Sequence, residues 1–158
     1  MFVILAAAVA LVTSPSPSPN ARPNDTITPG VTRDLTLDVV CNTKWGKDKR
    51  AVTEAMKQQA FKNYGFTGND DPRCTPDANG RHCEIDHRIS RELSGADDVR
   101  NLWPQPYGGD WGASRKDQLE NALHKSVCVT HALTLQQAQD VLRGDWIAGW
   151  AKYVGSAK

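Results

Sequence analysis

No apolar run in this sequence is long enough to cross a bilayer as a helix, since the longest, residues 2–12, falls well short of the roughly 20 residues a span needs. With a mean hydropathy of −0.52, this excludes a multi-span membrane protein. Charge of one sign is missing as well. Lys and Arg total 19 against 18 Asp and Glu, a net charge of +1, so the chain is no polycation that coats nucleic acid indiscriminately, and any such contact must come from a local patch. There is no C-x-x-C pair, no Gly-rich phosphate loop, no G-x-S-x-G elbow and no H-E-x-x-H helix. Zinc ribbons, nucleotide hydrolysis, serine hydrolysis and zinc proteolysis therefore lack their motifs. No internal repeat is visible, and 158 residues with 39% hydrophobic side chains suffice for one domain but not comfortably for two.

What is present divides the chain in three. Residues 1–12 carry a short apolar stretch with small residues at Ala6, Ala7, Ala8 and Ala10, the pattern of a secretory signal peptide, although no Lys or Arg precedes it. Residues 13–34 hold prolines at 15, 17, 19, 23 and 29 alternating with Ser and read as a disordered linker. Residues 35–158 are the expected folded domain, so the protein reads as exported, secreted or periplasmic, with no stable membrane span once the signal is removed and a lipid or membrane tether not excluded.

Four cysteines, Cys41, Cys74, Cys83 and Cys128, suit two disulfides in an exported protein. Three pairings are possible. The turn-rich segment between Cys74 and Cys83 favours closing that short loop, which leaves Cys41 to join Cys128. A zinc site drawing on His82 and His87 is the competing reading, and adjacent His82 and Cys83 are awkward for tetrahedral closure.

The spacing predicts a helix over 48–64, with Val52, Met56 and Phe61 on one face and Gly65 as the stop. Residues 66–81 are dense in Gly, Pro, Asn and Asp and read as a loop. Residues 82–89 and 101–105 read as two short paired strands. A helix over 114–127 follows, with Leu119, Leu123 and Val127 in register and Ser114 as its cap. A Thr134 capping box then opens a last helix with Leu135, Ala138, Leu142, Trp146 and Trp150 on one stripe and Gly144 a possible break. The fold class is α+β, with the ribbon and the helix after it at the centre. Core packing is the expected role of the tryptophans.

Chemistry concentrates in the stretch CEIDHRISRELSGADDVRNLWPQPY and the helix behind it. An Asp beside a His at a strand end can divide labour: the carboxylate is a hard ligand for Mg²⁺ or Mn²⁺, and the imidazole takes a proton from water near neutral pH. Successive strand residues point opposite ways, so the pairing requires a twist or a strand end at His87. Asp97 and Asp98 read as a solvated loop. Residues 41–62 carry a local excess of four basic side chains, a face suited to a phosphate backbone.

The order E-x-D-H, R-E-L-S-G, N-L-W-P and K-D-x-L-E resembles the HNH endonuclease superfamily, most closely its compact bacterial members, over residues 84–146. That resemblance implies a ββα-metal core with flanking helices and a metal-dependent endonuclease acting on DNA, and on RNA as well in one version of the reading. It implies Asp86 as metal ligand, His87 as general base, Asn101 as holder of the loop that orients the imidazole, and Lys116 as a phosphate contact. Mg²⁺ or Mn²⁺ is implied ahead of Zn²⁺, with no small-molecule cofactor. Ser90 stands where the related motif has Pro, and Ser94 where it has one of its glycines. Gly112, Ala113 and Ser114 stand where related helices supply a further ligand, so Asp117 and Glu120 are the candidate replacements and His124 a weaker one. The same helix residues also read as an exposed face laced with i,i+3 and i,i+4 ion pairs. The alternative is a catalytically degenerate binding module of the same fold for nucleic acid or a protein partner.

Overall fold

In a computed structural model the chain is described over residues 19–155, so the signal-like segment and the first part of the linker lie outside the described residues. The fold is α+β, with one two-stranded antiparallel sheet and five α-helices among the described residues. Thr36 caps α1 (Leu37–Asn42) and Thr53 caps α2 (Glu54–Asn63), each accepting a hydrogen bond from the third residue on. The ribbon is β1 (Cys83–His87) and β2 (Leu102–Pro106), with Asp86 opposite Trp103 and His87 opposite Leu102. Then come α3 (Ala113–Cys128), α4 (Leu135–Arg143) and α5 (Trp146–Tyr153). Pro104 and Pro106 are tolerated in β2 because a strand in a two-stranded ribbon has one free edge.

The apolar spacing sorts these elements into two cores. Ala60 of α2 packs on Ile85 and Leu102, with Val52, Met56 and Phe61 filling in, so α2 covers the ribbon. Leu119, Leu123 and Val127 of α3 meet Ala138, Leu142, Trp146 and Ile147, with Ile89 and Leu93 of the loop after β1 entering the same cluster. Trp111 stands edge-on to both Trp146 and Trp150, and Trp103 is buried, which is the core role expected of them.

Several elements differ from expectation. α2 starts at Glu54, not residue 48, because the backbone N–H of Ala51 donates to Asp97 and Thr53 takes the cap. α1 was not legible, being too short to show periodicity. Ser114 is not a cap: α3 starts one residue earlier, after Gly112, with no side-chain cap. Gly144 does break the last helix, and Asp145 caps α5 by accepting from Ile147 N and Ala148 N.

The largest correction concerns residues 19–34. They pack on the domain, so the ordered unit begins well before residue 35. Thr28 is fully buried and donates to the Leu102 carbonyl, Ala21 accepts from the Trp146 indole, and buried Arg88 donates to Thr28 O and pairs with Asp25. Arg33 donates to the carbonyls of Gly95 and Arg91. The attachment is made of scattered hydrogen bonds and ion pairs, among them Arg22 with Asp145 and Asp25 with Arg88, and not of an apolar stripe, which is why composition alone suggested a loose spacer.

Both disulfides form in the favoured pairing, Cys41–Cys128 and Cys74–Cys83, and no free cysteine remains among the described residues. That overturns the zinc alternative, since no thiolate is left to ligate. Cys41–Cys128 spans 87 residues and fastens α1 to the end of α3. Chain entropy predicts that replacing it with two alanines costs about 4–5 kcal/mol, against about 3 kcal/mol for Cys74–Cys83. Denaturant titration of the two double variants checks the order, and an equal or reversed ranking would mean α1 is held by something else.

Candidate active site

His87 ends β1, the strand end that the Asp-His pairing requires. It lies on the buried face with Cys83 and Ile85, while Glu84 and Asp86 take the opposite, partly exposed face. Just past the strand the two faces merge into one cleft of about 520 Å³. Asp86 and His87 both line it, together with Arg50, Glu92, Asp117 and Glu120. No helix among the described residues is long and apolar enough to cross a membrane.

His87 as a residue is 4% exposed. Its Nε2 lies 2.7 Å from Asp97 Oδ1. Burial holds the imidazole down to a pKa of about 4, so it is neutral at pH 7. Burial works against ionisation of Asp97, but the Ala51 N–H, the His87 ring and the Arg91 guanidinium together keep its carboxyl below the usual range. An ionised carboxylate only accepts, so Nε2 carries the ring proton and Nδ1 is left with the lone pair. Nδ1 has no hydrogen-bond partner among the described residues. Arg91 Nε stands 3.3 Å from the same Asp97 oxygen, while Arg91 also pairs with Asp48.

Asp97 was the residue that sequence reasoning missed. The available signal was indirect: a histidine buried on a strand needs a partner for its ring N–H, and the Ser94–Gly95 turn folds the following chain back toward it. That turn is tight. A Cβ on Gly95 would stand 1.8 Å from the Ile89 carbonyl oxygen, so glycine is required for the close approach. Ser94 takes φ +68° and is held there by its Oγ bond to Arg33 O.

Asn101 sits fully buried behind this turn. Its Oδ1 accepts from Ile89 N at 2.9 Å, and its Nδ2 donates to Ile89 O and Ala96 O at 3.0 Å each. The side chain extends the ribbon by one pseudo-rung beyond His87 and Leu102 and fixes Ala96, the residue before Asp97. Asn101 therefore holds the loop without touching the imidazole, and Asp97 contacts the ring.

Lys116 requires a correction. Expected to contact phosphate, it is 1% exposed and cannot reach a ligand. Its Nζ donates to Asp86 Oδ2 at 2.6 Å, to the His87 carbonyl at 2.7 Å, and to Glu120. Burial alone would lower its pKa, but Asp86 and Glu120 outweigh this and hold the amine protonated. Glu120 is the i+4 partner of Lys116 on α3, so the ion-pair reading of this helix is realised inside the protein and not on its surface. Burial also raises Glu84, Glu92, Asp117 and Glu120 above the ordinary carboxylate range, and the Asp86 charge adds to this at Glu84, Asp117 and Glu120.

The donor set does not fit a resident metal as it stands. Asp86 and Glu120 both face the Lys116 ammonium, Asp117 lies at the cleft rim, and His124 is turned toward Val40 O of α1 and the Cys128 sulfur. Among the described residues no three His, Cys, Asp or Glu side chains come together as a metal-holding group.

A second cavity of about 630 Å³ runs between α2 and β1 and shares Arg50 with the first. Lys57, Lys62, Phe61, Phe66 and Tyr107 line it. Of the basic residues in 41–62, Arg50, Lys57 and Lys62 line this cavity, together with Glu54 and Glu84. Trp45 differs from the other tryptophans in lining the cleft, with its indole N–H given to Val40 O.

Neither a protein-family model nor a curated protein nor a solved structure matches this chain. The site is therefore read from its own geometry.

Two outcomes follow from these contacts. Asn101→Ala strands the Ile89 N–H and C=O in the interior and is expected to cost about 2–4 kcal/mol, read from urea denaturation. A loss under 1 kcal/mol would mean the loop does not depend on it. Because the His87 pKa is lower folded than unfolded, the neutral ring contributes its full stability above about pH 6.5 and loses it as pH falls toward 4. The loss is on the order of 3 kcal/mol for a shift of this size. Comparing stability from pH 7 to pH 4 in wild type and His87→Gln checks it, since the variant should be flatter across that window.

Proposed function

We propose that this chain is an exported phosphodiester hydrolase of the HNH type, with a ββα-like core, that acts on nucleic acid with His87 as general base. The observation that carries the reading is the Asp97–His87 pair: a neutral imidazole whose tautomer is fixed by a carboxylate, at the edge of a cleft that also holds an arginine. Nδ1 takes a proton from water, and the resulting hydroxide attacks phosphorus in line with the departing oxygen. Arg50 gives one N–H to Ile85 O, which positions the guanidinium and leaves its remaining donors for the charge that develops on the phosphate. Glu92 and Asp117, kept protonated longer by burial, are the carboxyl groups in the cleft suited to return a proton to the leaving oxygen.

Support for the substrate comes from the second groove. Lys57, Lys62 and Arg50 lie there with Phe61 and Tyr107, against Glu54 and Glu84, and the surplus cation and the rings suit a phosphate backbone with unpaired bases against the rings. DNA and RNA both meet that description. Two disulfides are compatible with an oxidising compartment, the basis for proposing export.

Cleavage of plasmid, single-stranded DNA and RNA by the oxidised protein, retaining residues 19–158, tests the reading. His87→Ala should remove activity. Asp97→Asn should lower kcat about 10²–10⁴-fold with little change in KM, because the ring loses its fixed tautomer. A His87→Ala variant as active as wild type would overturn the mechanism, and nucleic-acid binding without any cleavage would assign the fold to a binding module.

A further inference from the structure

We infer that the Lys116 ammonium permanently occupies the place of a divalent cation, so that this site binds no divalent ion and does its chemistry without one. Asp86 Oδ2 at 2.6 Å, the His87 carbonyl at 2.7 Å and a Glu120 carboxylate oxygen converge on Nζ. Two carboxylates and a main-chain carbonyl form the oxygen set that Mg²⁺ or Mn²⁺ selects. An ammonium satisfies the same set because it has three N–H groups, one for each oxygen. Every N–H of the ammonium is matched, while Asp86 Oδ1 and Glu120 Oε2 are the carboxylate oxygens it does not engage.

The surroundings make the substitution hard to reverse. Lys116 enters from the first turns of α3 and is buried along its length. A divalent ion that displaced it would leave an ammonium inside the protein without a partner, which is strongly unfavourable. The start of the helix brings no compensating ligand, since Gly112 and Ala113 have no donor and Ser114 is exposed. An ammonium differs from a metal in carrying one charge instead of two and in leaving no open position for water. Water activation at this cleft therefore falls to His87, and phosphate neutralisation to Arg50. The inference concerns the cation cage and stands whether or not the cleft hydrolyses phosphodiesters.

The test is Mn²⁺ binding by the oxidised protein after dialysis against EDTA, followed by electron paramagnetic resonance and thermal melting. Wild type should show no saturable binding up to about 1 mM Mn²⁺, and its Tm should move by less than about 1 °C. Lys116→Ala, with the cage emptied, should take up one Mn²⁺ per chain and gain several degrees in Tm at saturation, roughly the shift expected for a ligand well above its Kd. Adding Asp86→Asn should remove that uptake. Saturable Mn²⁺ binding by wild type that Asp86→Asn abolishes would overturn the inference, as would a folded Lys116→Ala that binds no Mn²⁺. If Lys116→Ala does not fold, the wild-type titration decides alone: silence supports the inference and saturable, Asp86-dependent binding ends it. Because binding is read without turnover, an inactive protein leaves this result interpretable.

Discussion

A buried ammonium with three oxygen partners is the contact on which the rest of the site depends. α3 packs chiefly on α5, α4 and α1, and its bond to the ribbon is made by Lys116 reaching Asp86 and the His87 carbonyl. Without that reach, the helix bundle and the ribbon with its α2 cover would be two small cores joined through the loop after β1 and the N-terminal segment. The charge is also what makes Asp86 and Glu120 tolerable together at the floor of one cleft. Removing one member of such a buried set typically costs 3–5 kcal/mol, because the survivors lose their compensation. The hub places Lys116 and Glu120 of α3 against Asp86 and the His87 carbonyl of β1 at the cleft.

From that hub the geometry of His87 follows in short steps. Its carbonyl is held by Lys116, its ring lies on the opposite side of the strand, and the loop that returns from Ile89 to Asn101 brings Asp97 to the ring nitrogen. Asn101 fixes the two ends of that loop to each other, and Gly95 allows the close approach. Each contact is local and uses a different device: an ion pair, a side-chain amide standing in for a strand, and a missing Cβ. Together they leave one imidazole nitrogen committed and the other available.

The parts legible in the sequence were those with a period or a closed count. Leu119, Leu123 and Val127 announced α3, the Thr134 capping box announced α4, and the alternation in 82–89 announced β1, which forms over Cys83–His87. Four cysteines with one turn-rich interval indicated the pairing. What was not legible rested on contacts without a period. The phosphate role of Lys116 was what the resemblance implied, and nothing in the spacing reveals that two carboxylates and a carbonyl surround it. Asp97 was indistinguishable from Asp98, although one holds the His87 ring and the other caps a turn and pairs with Arg100. Residues 19–34 looked loose because chain attachment through carbonyls leaves no trace in composition.

That attachment ties the N-terminal segment to the site. Arg33 bonds the carbonyls of Arg91 and Gly95, Ser94 bonds back to Arg33 O, and Thr32 bridges Gly95, so the segment braces the same turn that presents Asp97. Arg88, the residue after His87, is fixed from behind by Thr28 O and by the end of α4 at Arg143. The backbone on either side of the Asp97–His87 pair is therefore clamped by chain that enters from the N-terminal side and by the helices that close the domain. A neutral imidazole in a partly closed cleft keeps its orientation only if its carboxylate partner cannot drift. In this fold that constraint is met by a segment whose composition gives no hint of order.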